Sequence, residues 1–342
     1  MRAVRIHAHG GPEVLRVEDI PDPVPSPGEV LIRVRAVSLN HLDLFVRRGM
    51  PGVKIPLPRI PGSDASGEVE ALGAGATRFK VGDRVLVNPG LSCGHCGFCA
   101  GGRGSLCLGY RLLGEHGDGT CAERISVPER IVHPLPPALS FDQGAAFPLT
   151  GLTAWSMLVT KARVRPGEDV LIVGAGAGVG VMAIQIARLC GARVFATAGT
   201  DEKLGKCKAL GADVLINHAK TPFDQAVREI TAKRGVDVVM DYVGKATWQQ
   251  SLRATARGGR IVTCGAATGF DPVEDLRHIF FRQLSILGST MGSAREFSDM
   301  LASVASGRIK PVVDRAMPMA EVAEGHRLLE ARQVFGKLIL NP

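Results

Sequence analysis

Along residues 1–150 apolar and polar positions alternate in short runs, such as 30–37 (VLIRVRAV), 67–72 (GEVEAL) and 83–87 (DRVLV), separated by Pro- and Gly-rich turns. A period of two turns one face of each run inward, and its recurrence between turn residues predicts an all-β, barrel-like region. After Gly151 the rhythm changes to apolar strand, helical segment, apolar strand: DVLIVGA, VGVMAIQIARLCG, ARVFATA, DEKLGKCKALGA, DVLIN, then VDVVMDYVG and GRIVTCGA. This alternation predicts parallel βαβ units with helices on both faces of a sheet, an α/β class of fold. Gly191, after Cys190, and Gly211, after Leu210, are expected to cap helices in the left-handed conformation. Residues 297–342 return to helix and strand, and the closing GKLIL is expected to complete the first domain as an edge strand.

A chain of 342 residues exceeds what one ordinary core covers, which favours two domains or one large one. The net charge of +8 raises the question of a nucleic-acid surface. Its 41 basic residues are interleaved with 33 acidic ones and never form a run of five or six, so a solvated basic surface with some pull on phosphorylated cofactors is expected, with no nucleic-acid partner. The most apolar stretch, 169–191, carries four glycines in its first half together with Gln185 and Arg188, and reads as strand, turn and buried helix rather than a membrane span. MRAVRIHAHG lacks the apolar core of a secretory signal, so a cytoplasmic location is expected. In that setting eight cysteines point to metal or redox chemistry rather than a disulfide framework.

Two motifs carry that chemistry. In LIVGAGAGVGVMAIQIA, Ala175, Gly176, Ala177, Gly178, Val179 and Gly180 lie between a strand and a helix. Small residues there let backbone N–H groups approach a pyrophosphate at the positive end of the helix, although the pattern is Ala-x-x-Gly-Val-Gly rather than a strict G-x-G-x-x-G. The second strand ends in Ala198-Gly199-Thr200, without the carboxylate that a ribose 2′-hydroxyl would call for, and Lys203 is close by; NADPH is therefore expected over NADH. Asp201 keeps NADH open, unless it simply begins the next helix. The second motif is Cys93-x2-Cys96-x2-Cys99-x7-Cys107 on a glycine-rich loop. Four thiolates so close suit one tetrahedral Zn²⁺ in a closed, structural site. An iron–sulfur cluster is the rival, but its motif has three residues before the fourth Cys and then Pro, where this chain has seven and then Leu108. His95 is expected to face solvent, and Cys121, Cys190, Cys207 and Cys264 to be packing residues.

These motifs, with GGPEVL, PSPGEVLIRVRAVSLNHLD, PGSDASGEVEALGAG, VGDRV, GDGTCAERISVP and FRQLSILGSTMGS, give a chain that resembles the zinc-containing alcohol dehydrogenase and quinone oxidoreductase branches of the medium-chain dehydrogenase/reductase superfamily. The resemblance implies a GroES-like β-barrel catalytic domain from both chain ends (1–150 and 291–342), a Rossmann domain of doubly wound parallel sheet (151–290), an active site in the cleft, and a homodimer or homotetramer built on sheet edges such as QLSILGS.

The departures matter most. Where the alcohol dehydrogenases carry a zinc-ligand Cys this chain has Asn40, where they carry a ligand His it has Ser63, the third ligand position falls near Thr150, and the proton-relay position is Leu42. A catalytic zinc is therefore not expected. Asn40 and Asp43 resemble the quinone oxidoreductase pattern, which implies hydride transfer from NAD(P)H to a small-molecule quinone, enone or enal, with Asn40 or a backbone N–H facing the oxygen that gains charge. Asp43 is expected to organise that pocket or to cap a helix beginning near Leu42, and Thr150 to meet the nicotinamide or to pack. The backbone at Cys264, Gly265 and Ser289 is expected against the carboxamide. Lys337 is expected to pair with the pyrophosphate or to protect an edge strand, and His41 and His116 are the histidines considered as proton donors. The alternatives are an alcohol dehydrogenase or aldehyde reductase with zinc on substitutes such as Asp64 and His41, and a nucleotide-binding relative without catalysis.

Overall fold

The computed structural model describes residues 1–342, and the chain divides into two compact units: 1–149 with 293–298 and 311–342, and 150–292 with 299–310.

In the first unit the run VLIRVRAV becomes the centre of strand Glu29–Ser38, which pairs antiparallel with Asp64–Leu72, with Arg124–Pro128 and with the C-terminal strand Lys337–Asn341. Its alternation is visible where Arg33 and Arg35 point outward and both donate to the Glu68 carboxylate on the neighbouring strand, at 3.1 and 2.8 Å. The sheet runs Val313–Pro318, Lys337–Asn341, Glu29–Ser38, Asp64–Leu72, Arg84–Val87, Val132–Pro134. GKLIL is thus an interior strand, not the edge strand its position at the chain end suggested. It pairs parallel with Val313–Pro318 on its other side, and Lys337 to Leu340 are all buried. An apolar core of Val30, Ile32, Val69, Val85, Val132, Leu338 and their neighbours fills this unit.

The second unit is a six-stranded parallel sheet in the order Val214–Asn217, Arg193–Ala198, Asp169–Ile172, Val236–Met240, Thr255–Thr263, Ser285–Gly288. In sequence terms this is 3-2-1-4-5-6, the doubly wound arrangement whose order reverses beside the first strand. Strand Asp169–Ile172 is buried throughout because helices cover both faces, which is why its sequence is a continuous apolar run rather than an alternating one. Helices Gly178–Leu189 and Asp201–Ala209 are followed by Gly191 and Gly211 with φ of +78° and +107°, the left-handed conformation in which glycine carries no Cβ penalty. No helix is long and apolar enough to cross a membrane.

The unit boundaries differ from the expected 151–290. Helix Ala294–Ala305 leaves the first unit part-way along, and 299–310 pack with the sheet of the second. Buried Met300 reaches the backbone of Gly151, and Gln185 both donates to the Lys310 carbonyl (2.9 Å) and accepts from the Lys310 amide (2.8 Å).

Gly180 is where helix and strand come closest: a Cβ there would lie 2.6 Å from the Ala175 carbonyl oxygen and 2.7 Å from two more backbone atoms of the same residue. Gly180→Ala forces the loop away from the helix and is expected to destabilise the protein by about 1–3 kcal/mol. Urea unfolding measures this directly, and an unchanged midpoint would show that the turn is not packed as described.

Candidate active site and cysteine cluster

The cysteine loop closes on itself. Cys96 sits at the N-cap of the short helix Gly97–Ala100, and Cys107 ends the helical turn Gly104–Leu106. The sulfurs of Cys93, Cys96, Cys99 and Cys107 all lie within 4.8 Å of one another, with Cys93–Cys99 at 3.8 Å and Cys96–Cys99 at 3.5 Å. A tetrahedral zinc with Zn–S bonds of about 2.3 Å has S···S edges of about 3.8 Å, so these four donors fit such an ion. Two backbone amides point at the sulfurs, Cys96 N–H to Cys93 Sγ (3.4 Å) and Cys93 N–H to Cys107 Sγ (3.5 Å), and hydrogen bonds of this kind stabilise thiolate charge. No other group of three or more His, Cys, Asp or Glu in the chain has ligand spacing. His95 is exposed and bonds the Cys93 carbonyl at 3.0 Å. Cys121 and Cys207 are buried packing residues, and Cys190 is half-buried.

A second constellation gathers at the end of strand Glu29–Ser38. Asn40 caps helix His41–Arg48, so the helix begins one residue before Leu42, and Asp43 lies in its first turn. The Asp43 carboxylate accepts from the Asn40 amide at 2.7 Å and from the Gly62 amide at 2.9 Å. It is therefore both a helix cap and the anchor of the Pro61-Gly62-Ser63-Asp64 segment. Ser63 is buried and donates to the Leu113 carbonyl at 2.9 Å.

Asp64 is the hub. Its Oδ1 accepts from the Leu149 amide (2.8 Å), and its Oδ2 accepts from Asn40 Nδ2 (2.9 Å), from Lys337 Nζ (3.4 Å) and, at 3.5 Å, from Ser38 Oγ. Lys337 Nζ also donates to Asn40 Oδ1, and the remaining Asn40 amide hydrogen goes to the Ser38 carbonyl at 3.3 Å.

Two expectations change here. Both amide hydrogens of Asn40 are given away inside the unit, so in this conformation Asn40 does not present a donor to a substrate oxygen. Lys337 is only 2% exposed and spends its charge on Asp64 and Asn40; it is neither a surface partner for a pyrophosphate nor an edge-strand lysine. Sequence reasoning treated Asp64 only as a substitute zinc ligand. Its signal was an acid inside a buried strand, which requires a cation, but that cation is 273 residues away.

Burial dominates the electrostatics of this cluster. It pushes the Asp43 carboxyl up to about 6, against the Asn40 hydrogen bond, the Lys337 charge and the Gly62 hydrogen bond. It raises Asp64 and lowers Lys337, while the charge of each partner opposes the shift of the other. The His41 side chain is exposed and makes no hydrogen bond; the protein on its inner side, which withdraws water, and then the charges of Lys337, Arg332 and Arg48 hold it below the usual histidine value, so its ring is neutral at pH 7. His116 is held in its own loop, accepting from the Leu112 amide at 3.2 Å.

In the second unit the glycine loop is pinned from both sides. Gly174 donates to Thr197 Oγ1 (3.0 Å) and accepts from the Tyr242 hydroxyl (2.8 Å), and Ala175 donates to the Thr197 carbonyl (2.8 Å). Ala177 is the N-cap of the 12-residue helix Gly178–Leu189 and has no side-chain oxygen to satisfy the first amides. The amides of Gly178, Val179 and Gly180 therefore open the helix without a capping acceptor, an arrangement suited to an anion.

After strand Arg193–Ala198, Thr200 caps the next helix, accepting from the Lys203 amide at 3.2 Å, and Asp201 is its first residue. The Asp201 carboxylate is already bonded to Lys220 Nζ (2.5 Å) and Asn217 Nδ2 (2.6 Å). At the carboxyl ends of the later strands, Ser289 is buried, its amide donating to the Thr263 carbonyl (2.9 Å) and its hydroxyl facing Ser156 at 3.5 Å. Gly265 accepts from Thr263 Oγ1 at 3.2 Å. The Cys264 thiol is pushed up to about 12 by burial, then by the Asp241 charge, and stays protonated at neutral pH. Thr150 is buried in helix Pro148–Trp155.

Two outcomes follow for the first unit. Lys337→Met strands the Asp64 charge and is expected to cost about 3–5 kcal/mol, while adding Asp64→Asn should recover a large part of it. A double-mutant cycle in urea tests this, and additive losses would refute the coupling. Because the folded value of Asp43 lies above its unfolded value of 3.8, its contribution to stability is fully present below that value and lost as pH rises through about 6. Asp43→Asn should flatten the fall in stability between about pH 4 and pH 7; equal slopes in the two proteins would show that Asp43 titrates normally.

A model of the alcohol dehydrogenase GroES-like domain matches residues 26–137, and a model of the zinc-binding dehydrogenases matches 178–306. The chain is 32% identical to human quinone oxidoreductase, covering 99% of this chain and 97% of that protein. It is 34% identical to an alcohol dehydrogenase of Geobacillus stearothermophilus, covering 95% and 96%. Its structure matches that of an NAD-dependent alcohol dehydrogenase with a TM-score of 0.97 at 50% identity, over the whole of both chains. The GroES-like sheet, the parallel 3-2-1-4-5-6 sheet and these relatives together make the chain an oxidoreductase of the medium-chain dehydrogenase/reductase superfamily.

Proposed function

We propose that this protein is an NAD(P)H-dependent oxidoreductase that delivers hydride to a quinone or an α,β-unsaturated carbonyl compound without a catalytic metal. The observation that carries this reading is the Lys337 ammonium, buried and bonded to the oxygens of Asn40 and Asp64. Asn40, at one ligand position of the zinc enzymes, therefore already faces a fixed cation, and Ser63, at another, donates its hydroxyl to the Leu113 carbonyl. A divalent ion beside Lys337 would meet a like charge in a medium of low dielectric, and Asn40 and Asp64 have given the ammonium the oxygens a metal would need. A catalytic zinc does not fit these residues.

The cofactor supplies the hydride; the protein's part is to bind, orient and donate hydrogen bonds. The amides of Gly178, Val179 and Gly180 receive the pyrophosphate, and the loops at Cys264–Gly265 and Ser289 hold the nicotinamide end. NADPH is favoured because the Asp201 carboxylate is committed to Lys220 and Asn217, which leaves no uncommitted acid beside Lys203 at the strand end to repel a 2′-phosphate. NADH is the competing cofactor, since the 50% identical structure is that of an NAD-dependent alcohol dehydrogenase. With Asn40 committed, His41 and backbone amides are the donors left for the oxygen that gains charge, and a neutral imidazole N–H suits that task. Asp43 holds Asn40 and Gly62 in place around it.

The four cysteines hold one structural zinc, whose closed thiolate set leaves no position for substrate. The proposed setting is a reducing cytoplasm, which suits eight free cysteines. The proposed assembly is a homodimer or homotetramer through the open edge Ser285–Gly288, where Ile286 is exposed.

Purified protein should carry one zinc per chain and oxidise NADPH with 1,4-benzoquinone or an enal but not with a simple ketone. Two zincs with ketone or alcohol turnover would replace this reading with an alcohol dehydrogenase using unusual ligands; cofactor binding without turnover would leave a non-catalytic relative. Lys203→Ala should raise the KM for NADPH about tenfold and leave that for NADH unchanged. Cys93→Ser should lose the zinc and lower Tm, read by metal analysis and calorimetry.

A further inference from the structure

We propose that Tyr242 is a positioning residue for the dinucleotide: its hydroxyl fixes the turn that leads into the pyrophosphate site, while its backbone supports the loop at the nicotinamide end. This rests on the reading of the amides at 178–180 as the pyrophosphate site. Residues 174–180 are only Gly, Ala and Val, so every side-chain hydrogen bond that anchors the loop comes from outside it. The peptide joining Gly174 to Ala175 is where they meet. Its carbonyl accepts from the Tyr242 hydroxyl at 2.8 Å and from the Ala177 amide at 3.1 Å, and its N–H donates to the Thr197 carbonyl at 2.8 Å. The bond from Ala177 closes the turn on the N-cap of helix Gly178–Leu189, from which the uncapped amides begin. Gly174 holds a φ of +72°, and a glycine has little intrinsic preference for one backbone orientation over another. Tyr242 and Thr197 supply that preference from the two neighbouring strands.

Tyr242 is itself placed by a buried carboxylate. Asp241, fully buried just after strand Val236–Met240, accepts from the Val243 and Gly244 amides at 2.8 and 3.1 Å, from Thr247 Oγ1 at 2.8 Å and from Ser251 Oγ at 2.6 Å. These donors wrap the chain around Asp241 and set where the Tyr242 side chain leaves it. On the opposite side the Val243 carbonyl accepts from both the amide and the hydroxyl of Thr268 at 2.8 Å. A Cβ on Gly265 would lie 3.4 Å from the Tyr242 carbonyl oxygen, so the loop carrying Gly265 rests on the Tyr242 backbone. One residue thus touches both ends of the cofactor crevice, with its ring tip at Gly174 and its main chain at Gly265. Burial, then the charges of Cys264, Cys207 and Asp241, hold the phenol well above its usual value, which keeps the hydroxyl a donor at neutral pH.

A positioning role and a packing role part company in Tyr242→Phe. The variant keeps the ring and removes one hydrogen bond, and the Gly174 carbonyl retains the Ala177 amide, so no buried acceptor is left without a donor and stability should hardly change. What is lost is preorganisation of the turn. The dinucleotide then has to order residues 174–177 as it binds, and the cost appears in affinity.

The test is fluorescence titration of NADPH and of NADH into the full chain and into Tyr242→Phe, since both dinucleotides carry the pyrophosphate. The dissociation constant of each dinucleotide that the native chain binds should rise about five- to tenfold in the variant, by the same factor for both. The KM for the cofactor should follow while kcat at saturating cofactor changes less than about twofold, the pattern of lost uniform binding. In the cofactor-free variant the amides of Ala175 and Ala177 should exchange faster with deuterated water at an unchanged Tm. Equal dissociation constants in the two proteins would overturn the proposal alone, and so would a lower Tm with binding intact, because Tyr242 would then be a packing residue. A fall in kcat with KM unchanged would also overturn it. A native chain that bound neither dinucleotide would remove the pyrophosphate reading of the glycine loop, and this inference with it.

Discussion

The charge of Asp64 is the constraint around which the first unit is arranged. A carboxylate taken fully out of water costs several kcal/mol unless its lone pairs and its charge are met. Here they are met by groups 24, 26, 85 and 273 residues away: Asn40, Ser38, the Leu149 amide and Lys337. The last strand of the chain therefore cannot leave the sheet without stranding a buried ion at each end of the pair. This explains why a segment at the extreme C-terminus occupies the interior of the sheet: Lys337 brings a cation that no residue nearer in sequence provides.

The same cluster limits the chemistry available. An ammonium offers three donors and a point charge but no open coordination position, so it cannot stand in for a Lewis acid that a substrate oxygen could join. What it does is freeze the amide of Asn40, with oxygen toward Lys337 and both hydrogens toward Asp64 and Ser38. Asp43, one helical turn on, is held by two backbone amides and carries the raised pKa of a buried acid. The unit has thus used its polar side chains on one another, and the burden of activation falls on the nicotinamide and on whichever donors are not consumed by the scaffold.

What was legible in the sequence were features set by neighbours along the chain. The cysteine cluster follows from spacing alone, and the parallel sheet from strand and helix rhythm with its left-handed glycines, because both are specified within a few tens of residues. The direction of the Asn40 amide, the burial of Lys337 and the pairing of Asp201 with Lys220 were not, because each depends on a partner that only the fold supplies. GKLIL did contain a hint: three consecutive apolar residues, Leu338 to Leu340, without alternation are the mark of a strand covered on both faces. Helix Ala294–Ala305 carries no such mark of where it passes from one unit to the other, since an amphipathic helix buries its stripe equally well against either.

The net charge of +8 acquires meaning only when it is divided among places in the molecule. Lys337 adds nothing to the outer field, because its charge is cancelled inside by Asp64. Four thiolates around one Zn²⁺ would carry a net charge of about −2 at the cysteine loop, which the sequence count treats as neutral. Arg33, Arg35 and Arg253 are matched by carboxylates at hydrogen-bond distance, whereas Lys161, Arg163 and Arg165 are not. A positive potential spread evenly over a surface keeps a protein soluble and weakly attractive to anions, and it steers a phosphorylated cofactor strongly only where a concave, low-dielectric wall focuses it.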